Sequence, residues 1–191
     1  MTSIPIRRIV TAQRPNGANV VAIDEVVEPL VHSSSGMAYW PIYGRDEVTR
    51  LPHDAPMDYP MSFFPSTSAG FRMHVVEFPA RSGSAYQPGS GEWPTRGLAE
   101  GRHAEPDSVG MHWTDTIDLI VVLSGEIGLV HDDGHEVVLQ QGNIVVQNGA
   151  VHAWRPRDVS CQLCFVNLAA EREGAPPLDD SGAVSTKELS S

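Results

Sequence analysis

Lysine is almost absent. Lys187 is the only one in the 191 residues, and 13 basic residues face 24 acidic ones, for a net charge of -11. Nucleic acids and anionic membranes require clustered Lys or Arg, so this balance argues against both as partners. A lone lysine near the C-terminus also argues against Schiff-base chemistry. Cysteine is scarce too: Cys161 and Cys164 are the two. They form a CxxC, but CQLCFVNL has the pattern of a strand, where positions three apart point to opposite faces. They therefore read as buried structural thiols and not as a redox or zinc pair. No apolar run approaches the roughly 20 residues of a membrane span, and Met1 to Ala12 lacks the apolar centre of a secretion signal. The expectation is a cytoplasmic protein. A hydrophobic fraction of 41% and a charged fraction of 19% are ordinary for a globular chain long enough to bury a core.

The densest strand and turn signals run from Gly110 to Trp154, GMHWTDTIDLIVVLSGEIGLVHDDGHEVVLQQGNIVVQNGAVHAW. Runs rich in Val, Ile and Leu at 117–123 and 136–147 are punctuated by Ser124-Gly125, Asp133-Gly134 and Gln141-Gly142. That predicts short strands with tight turns, a meander over 117–146, and a two-residue hairpin at Asp133-Gly134. Within the stretch, His112, Asp118 and His152 are candidates to bind one metal ion and to carry the catalysis. His112, Thr114, Thr116 and Asp118 alternate. A straight strand would hold His112 and Asp118 roughly 20 Å apart, so a shared ion requires the chain to reverse between them.

The stretch resembles the cupin superfamily. His112, Asp118 and Gly125 fall in register with the first His, the Glu and the final Gly of the family's first motif. Gly142, Gly149 and His152 match its second. Thr114 stands where the first motif has another His and Asp118 where it has Glu. The second motif is one residue short, with Asn148 in place of its Pro and Pro156 in place of its Asn. The run HxTDTxDxxVVLSGE followed by VVQxGxxHAW is similar to a subgroup of small single-domain cupins, and RRIVTA, NGANVV and FRMHVVEFPA extend the likeness over most of residues 6–168. The resemblance implies an all-β double-stranded β-helix, the cupin or jelly-roll barrel, with an N-terminal strand extension and dimerisation through those strands or a sheet face. No internal repeat is visible, so one barrel is expected.

Elsewhere, residues 6–12 and 18–23 read as a hairpin joined by RPNG. Residues 24–65 are broken by prolines, with a short aromatic strand in MAYWPIYG, where Tyr39, Trp40 and Tyr43 read as core or interface residues, as do Phe63 and Phe64. Residues 71–78 alternate as a strand, Arg72, His74, Val76 and Phe78 on one face and Phe71, Met73, Val75 and Glu77 on the other. A Gly/Pro-rich loop over 79–108, holding Tyr86, Trp93, Arg96, Arg102 and His103, reads equally as a lid over the barrel mouth or a surface insertion. Residues 161–168 close the sheet. The domain reading is thus strands and irregular extension over 1–65, barrel over 66–169, and a polar, acidic tail over 170–191.

Two imidazoles and a carboxylate suit Fe, Mn, Ni or Zn with open coordination positions. Such an ion polarises a chelating carbonyl or enolate, activates water or holds dioxygen. Around them the apolar neighbours predict a mostly greasy small-molecule cavity. Trp154 shares a side with His152 and is a candidate substrate-facing ring, Thr114 could orient a water or the carboxylate, and His74 could contact substrate or supply the nitrogen missing at Thr114. Trp113 alternates away from the site. His131 and His135 flank a hairpin tip, and Arg155 and Arg157 read as surface ion-pair residues. These features lead to a metal-dependent lyase or dioxygenase acting on a polyketide-like, aromatic or dicarbonyl compound. A non-catalytic ligand-binding barrel and metal-free acid-base catalysis by His112, Asp118 and His152 are the competing readings.

Overall fold

The computed structural model describes residues 4–31, 36–51, 63–81 and 109–173. The loop residues Tyr86, Trp93, Arg96, Arg102 and His103, and the tail beyond residue 173, lie outside them. All regular structure among the described residues is antiparallel strand, in three sheets.

The six-stranded sheet has the order β10 (Ile144–Asn148), β7 (Thr116–Ser124), β12 (Cys161–Ala169), β5 (Phe71–Phe78), β4 (Ala38–Arg45), β3 (Leu30–Val31). Facing it is a four-stranded sheet, β6 (Val109–His112), β11 (His152–Pro156), β8 (Glu126–His131), β9 (Glu136–Gln140). Period-2 alternation decides which side chains go inside. Along β7, Thr116, Asp118, Ile120 and Val122 are buried while Ile117, Leu119 and Val121 face out. On β5, Arg72, His74, Val76 and Phe78, which alternation puts on one face, form the inward one. The main core lies between the sheets, where Ile120, Val122, Ile127, Leu129, Leu163, Phe165 and Trp154 pack together with Phe63, Val76 and Phe78.

The expected meander is replaced by a switch between sheets. β7 and β8 are consecutive yet lie in different sheets, and so do β9 and β10. The cause at the first switch is Gly125, with φ +75 and the Ser160 and Cys161 backbone pressed against it. A left-handed glycine there turns the chain out of β7 without a side chain to collide. The hairpin at Asp133-Gly134 is also longer than two residues: Gly134 N donates to His131 O and His131 N to His135 O, with Gly134 at φ +80. That is the bulged type of loop, in which only the glycine needs positive φ.

β1 (Arg7–Gln13) and β2 (Asn19–Val26) form a separate hairpin, turned at Gly17. A lone two-stranded ribbon is marginal in water. This one is tied to the outer face of the large sheet, where Arg8 donates to Ile42 O at 2.8 Å and Ile4 N to Gln162 Oε1 at 3.1 Å. Beneath it, Trp40, Ile42 and Val75 pack with Ile6, Val27, Tyr43 and Cys164. Cys164 thus sits on the opposite side of the sheet from Cys161, which belongs to the main core. Burial, with Glu126 and Glu77 adding to it, pushes the Cys161 thiol up to about 12, and burial also raises Cys164. Both remain thiols at neutral pH.

Candidate active site

His112 and His152 are brought together by sheet register. They are direct partners on β6 and β11, and their ring centroids are 4.3 Å apart. His152 Nδ1 lies 2.9 Å from Ala150 O and 3.0 Å from Gln147 Nε2, while Gln147 Nε2 is itself 2.9 Å from Ala150 O. A bare Nδ1 lone pair would face the carbonyl's lone pairs, so Nδ1 carries the proton and donates to Ala150 O. That tautomer leaves a lone pair on Nε2. Burial, reinforced by His112, lowers His152 to about 3, against a smaller raising effect of the Ala150 carbonyl. The ring is neutral at any working pH.

Asp118 is 3% exposed. Burial raises its carboxyl above the usual range, opposed by hydrogen bonds from Thr116, Asn167 and Thr114. Asn167 Nδ2 donates to Asp118 Oδ1 at 2.6 Å, and Thr116 Oγ1 donates to Thr114 Oγ1 at 2.7 Å. Thr114 thus lies hydrogen-bonded beside the carboxylate.

Register places these groups in one transverse row. Asn167 pairs with Arg72 on one side and Asp118 on the other, and Asp118 pairs with Gln147. All of them are buried, and directly opposed residues share a face. Gln147 then touches His152, carrying the row to the opposite sheet. The chain crosses between the sheets from β6 to β7. Arg172 fixes this crossing by donating to Asp115 Oδ1, Thr114 O and Gly149 O, with its guanidinium 4.7 Å over the Trp113 ring. Trp113 packs with Val151 and Met111 in a cluster of its own.

Gln147, Asn167 and Arg172, whose hydrogen bonds hold this row and crossing, were not singled out from the sequence. A signal existed for the first two: each is a polar residue at an inward position of an otherwise apolar alternating strand. Trp154 does lie beside His152, edge-on at 5.6 Å, and also packs edge-on against Phe165 at 5.9 Å. His74 does not join the imidazole pair. Its ring stacks on Phe165 at 5.3 Å and lies 4.0 Å from Phe63 and 5.2 Å from Tyr39. Arg155 and Arg157 both pair with Glu136.

The donors are of a kind that fits a divalent ion, since His152 presents a lone pair from a ring fixed through its other nitrogen. Their number does not fit: among the described residues no three His, Cys, Asp or Glu side chains are grouped so as to hold one ion. Two imidazoles adjoin, and the Asp118 carboxylate is held by Asn167 and the threonines.

No family model matches the chain. Phomopsin biosynthesis cluster protein C' of Diaporthe leptostromiformis is 44% identical over 63 residues, which cover 32% of this chain and 33% of that protein. The polyketide cyclase RemF of Streptomyces resistomycificus superposes with a TM-score of 0.42 at 16% identity, over 78% of this chain and 77% of the cyclase. The Cnp3 cupin domain of Schizosaccharomyces pombe gives 0.41 at 12% identity, over 85% and 87%. Likenesses this distant say nothing of activity. No helix among the described residues is long and apolar enough to cross a membrane. On its own strand order and sheet pairing, the chain has an all-β, double-sheet barrel fold of the cupin type.

Proposed function

We propose that this chain is an enzyme that moves protons on a small, neutral, largely apolar substrate bearing hydroxyl, enol or carbonyl groups. Dehydration or isomerisation of a polyketide-like, aromatic or dicarbonyl compound fits this description. The observation that carries the reading is the buried row, inside an apolar barrel, that runs from Asp118, a carboxyl raised by burial, through Gln147 to the neutral ring of His152. A carboxyl shifted toward neutrality is matched to proton transfer near physiological pH. Asp118 takes a proton from the substrate, while Asn167 and Thr114 steady the carboxylate before transfer. His152 Nε2 accepts a hydrogen bond from a substrate hydroxyl and, being neutral, does not compete for the proton. His112 packs against it and completes that wall. The partial match to a biosynthesis-cluster protein supports a place in natural-product metabolism.

The test is carbon-bound hydrogen exchange in deuterated water, followed by proton NMR over a panel of hydroxyaryl ketones and dicarbonyls with a chelator present. Exchange that survives chelation and vanishes in Asp118→Asn and in His112→Ala/His152→Ala is expected. An activity lost on chelation and restored by one of Fe, Mn, Ni or Zn would replace this mechanism with the metal-dependent lyase or dioxygenase. No exchange above the buffer rate would leave a ligand-binding barrel.

The chain is also proposed to act as a homodimer. Ile144, Val146, Ile117, Leu119, Val121 and Leu168 are 36–71% exposed on the outer face of adjoining strands β10, β7 and β12. With strands about 4.8 Å apart and about 3.3 Å per residue, the patch is of order 300 Å². A stable interface needs about 800 Å² per partner, so the exposed Ile9, Val21 and Val26 of the β1–β2 hairpin must contribute as well. Light scattering of wild type beside Leu119→Lys/Val146→Lys should show a dimer become a monomer. A monomeric wild type at micromolar concentration would refute it.

A further inference from the structure

Two polar groups inside the barrel have nothing to bond. His74 is 0% exposed, and neither ring nitrogen has a hydrogen-bond partner. Asn167 is 1% exposed; its amide nitrogen is committed to Asp118, and its Oδ1 has no partner. Leaving buried donors and acceptors unmet is costly, and native chains keep such atoms where something else satisfies them. The two are neighbours. Asn167 lies opposite Arg72 and His74 opposite Phe165 on the paired strands β5 and β12. His74 and Asn167 are therefore diagonal on one inward face, about 7–8 Å apart. Phe63, Phe165 and Tyr39 surround the imidazole, and Asn167 adjoins Asp118.

We propose that His74 and Asn167 form the specificity pole of the barrel, which takes a hydroxyl and a carbonyl group of a neutral aromatic ligand. The inference rests on the proposed function for placing a substrate in the barrel, and it names that substrate's class. Asn167 Oδ1 only accepts, so it selects a hydroxyl. His74 offers one N–H and one lone pair, which suits a carbonyl or a second hydroxyl. Burial, followed by the nearby Arg72 charge, lowers His74 to about 3. The ring is uncharged and gives a carboxylate or phosphate no counter-ion. The surrounding aromatic rings favour a flat π system in the ligand. Access requires one ring to move aside, and Phe63 is the member of the group that stands on no strand.

The probe is meta-hydroxyacetophenone, whose hydroxyl cannot bond its own carbonyl, with acetophenone as its hydroxyl-free control, titrated into the full chain by ligand-observed NMR. Wild type should bind the probe about tenfold or more tightly than the control. His74→Phe should weaken probe binding by a similar factor. The same His74→Phe chain without ligand should melt higher than wild type, by about 2–4 °C, because a ring of like shape replaces one with unmet polar atoms. A purely structural histidine would give a lower melting temperature. His74→Leu, read the same way, serves if the larger ring does not fold. Unchanged probe affinity in the His74 variants overturns the proposal, as does affinity lost only in His112→Ala/His152→Ala, which would put the probe at the imidazole pair. Because binding is read apart from turnover, failure of the proton-transfer reading leaves this result standing.

Discussion

Gly125→Ala is expected to leave no stably folded protein, a loss of more than about 4 kcal/mol. Two costs combine. The residue holds φ +75, where an L side chain is strained by about 1–2 kcal/mol. A Cβ there would also stand 1.9 Å from Ser160 O and 2.9 Å from Cys161 Cα. Neither can yield cheaply, since both are backbone and Cys161, 1% exposed, opens the strand β12 that pairs with β5 and β7. Gly134 and Gly142 provide the control, for they also have positive φ but nothing within 4 Å of the added carbon. Alanine at either should cost only about 1–2 kcal/mol, the conformational part alone. Urea unfolding of the three variants separates the terms, and a Gly125→Ala midpoint close to that of Gly134→Ala would show that the approach of Ser160 is not a constraint. The consequence reaches the site, because the chain at Gly125 leaves the sheet that carries Asp118 for the sheet that carries His152.

The alternation of β5 and β7 was legible in the sequence, and with it the sharing of one face by His74 and Val76. So was the meeting of His112 and His152, through the motif likeness. The assignment of consecutive strands to different sheets was not. Hydrophobic period marks a strand but not its neighbour, and the deciding feature at Gly125 is the approach of Ser160, far along the chain. The missing third donor was hidden for a similar reason. Spacing can place Asp118 on the inward face, but only register shows that Asn167 stands beside it on β12 and takes up its carboxylate oxygen. Gln147 and Asn167 were visible as polar interruptions in apolar strands. What each interruption bonds depends on strand pairing, which no local pattern encodes.

Acid should destabilise the protein steeply below pH 6.5. His74 and His152 are each lowered by burial to about 3 from 6.5. Between those limits the unfolded chain binds two protons that the folded chain does not, so stability falls as pH falls, by about 2.7 kcal/mol per pH unit for two sites. Asp118 acts in the opposite sense. Its raised carboxyl keeps a proton in the folded state that the unfolded chain has released above 3.8. Within that carboxyl's window it cancels the contribution of one histidine, leaving about 1.4 kcal/mol per unit. At pH 4.5 the combined loss is then about 3–5 kcal/mol, a large fraction of a typical stability. Urea unfolding at steps from pH 7.5 to 4.5 would measure the slope directly. His74→Phe removes one of the two protons and should lower the slope by about 1.4 kcal/mol per unit, whereas Asp118→Asn should steepen it. A wild-type stability flat from pH 6.5 to 4.5 would mean that, beyond the offset by Asp118, one or both imidazoles are protonated in the folded state. That outcome would require water or an anion beside them and would undo the sealed, neutral barrel on which the assignment of His152 as a hydrogen-bond acceptor depends.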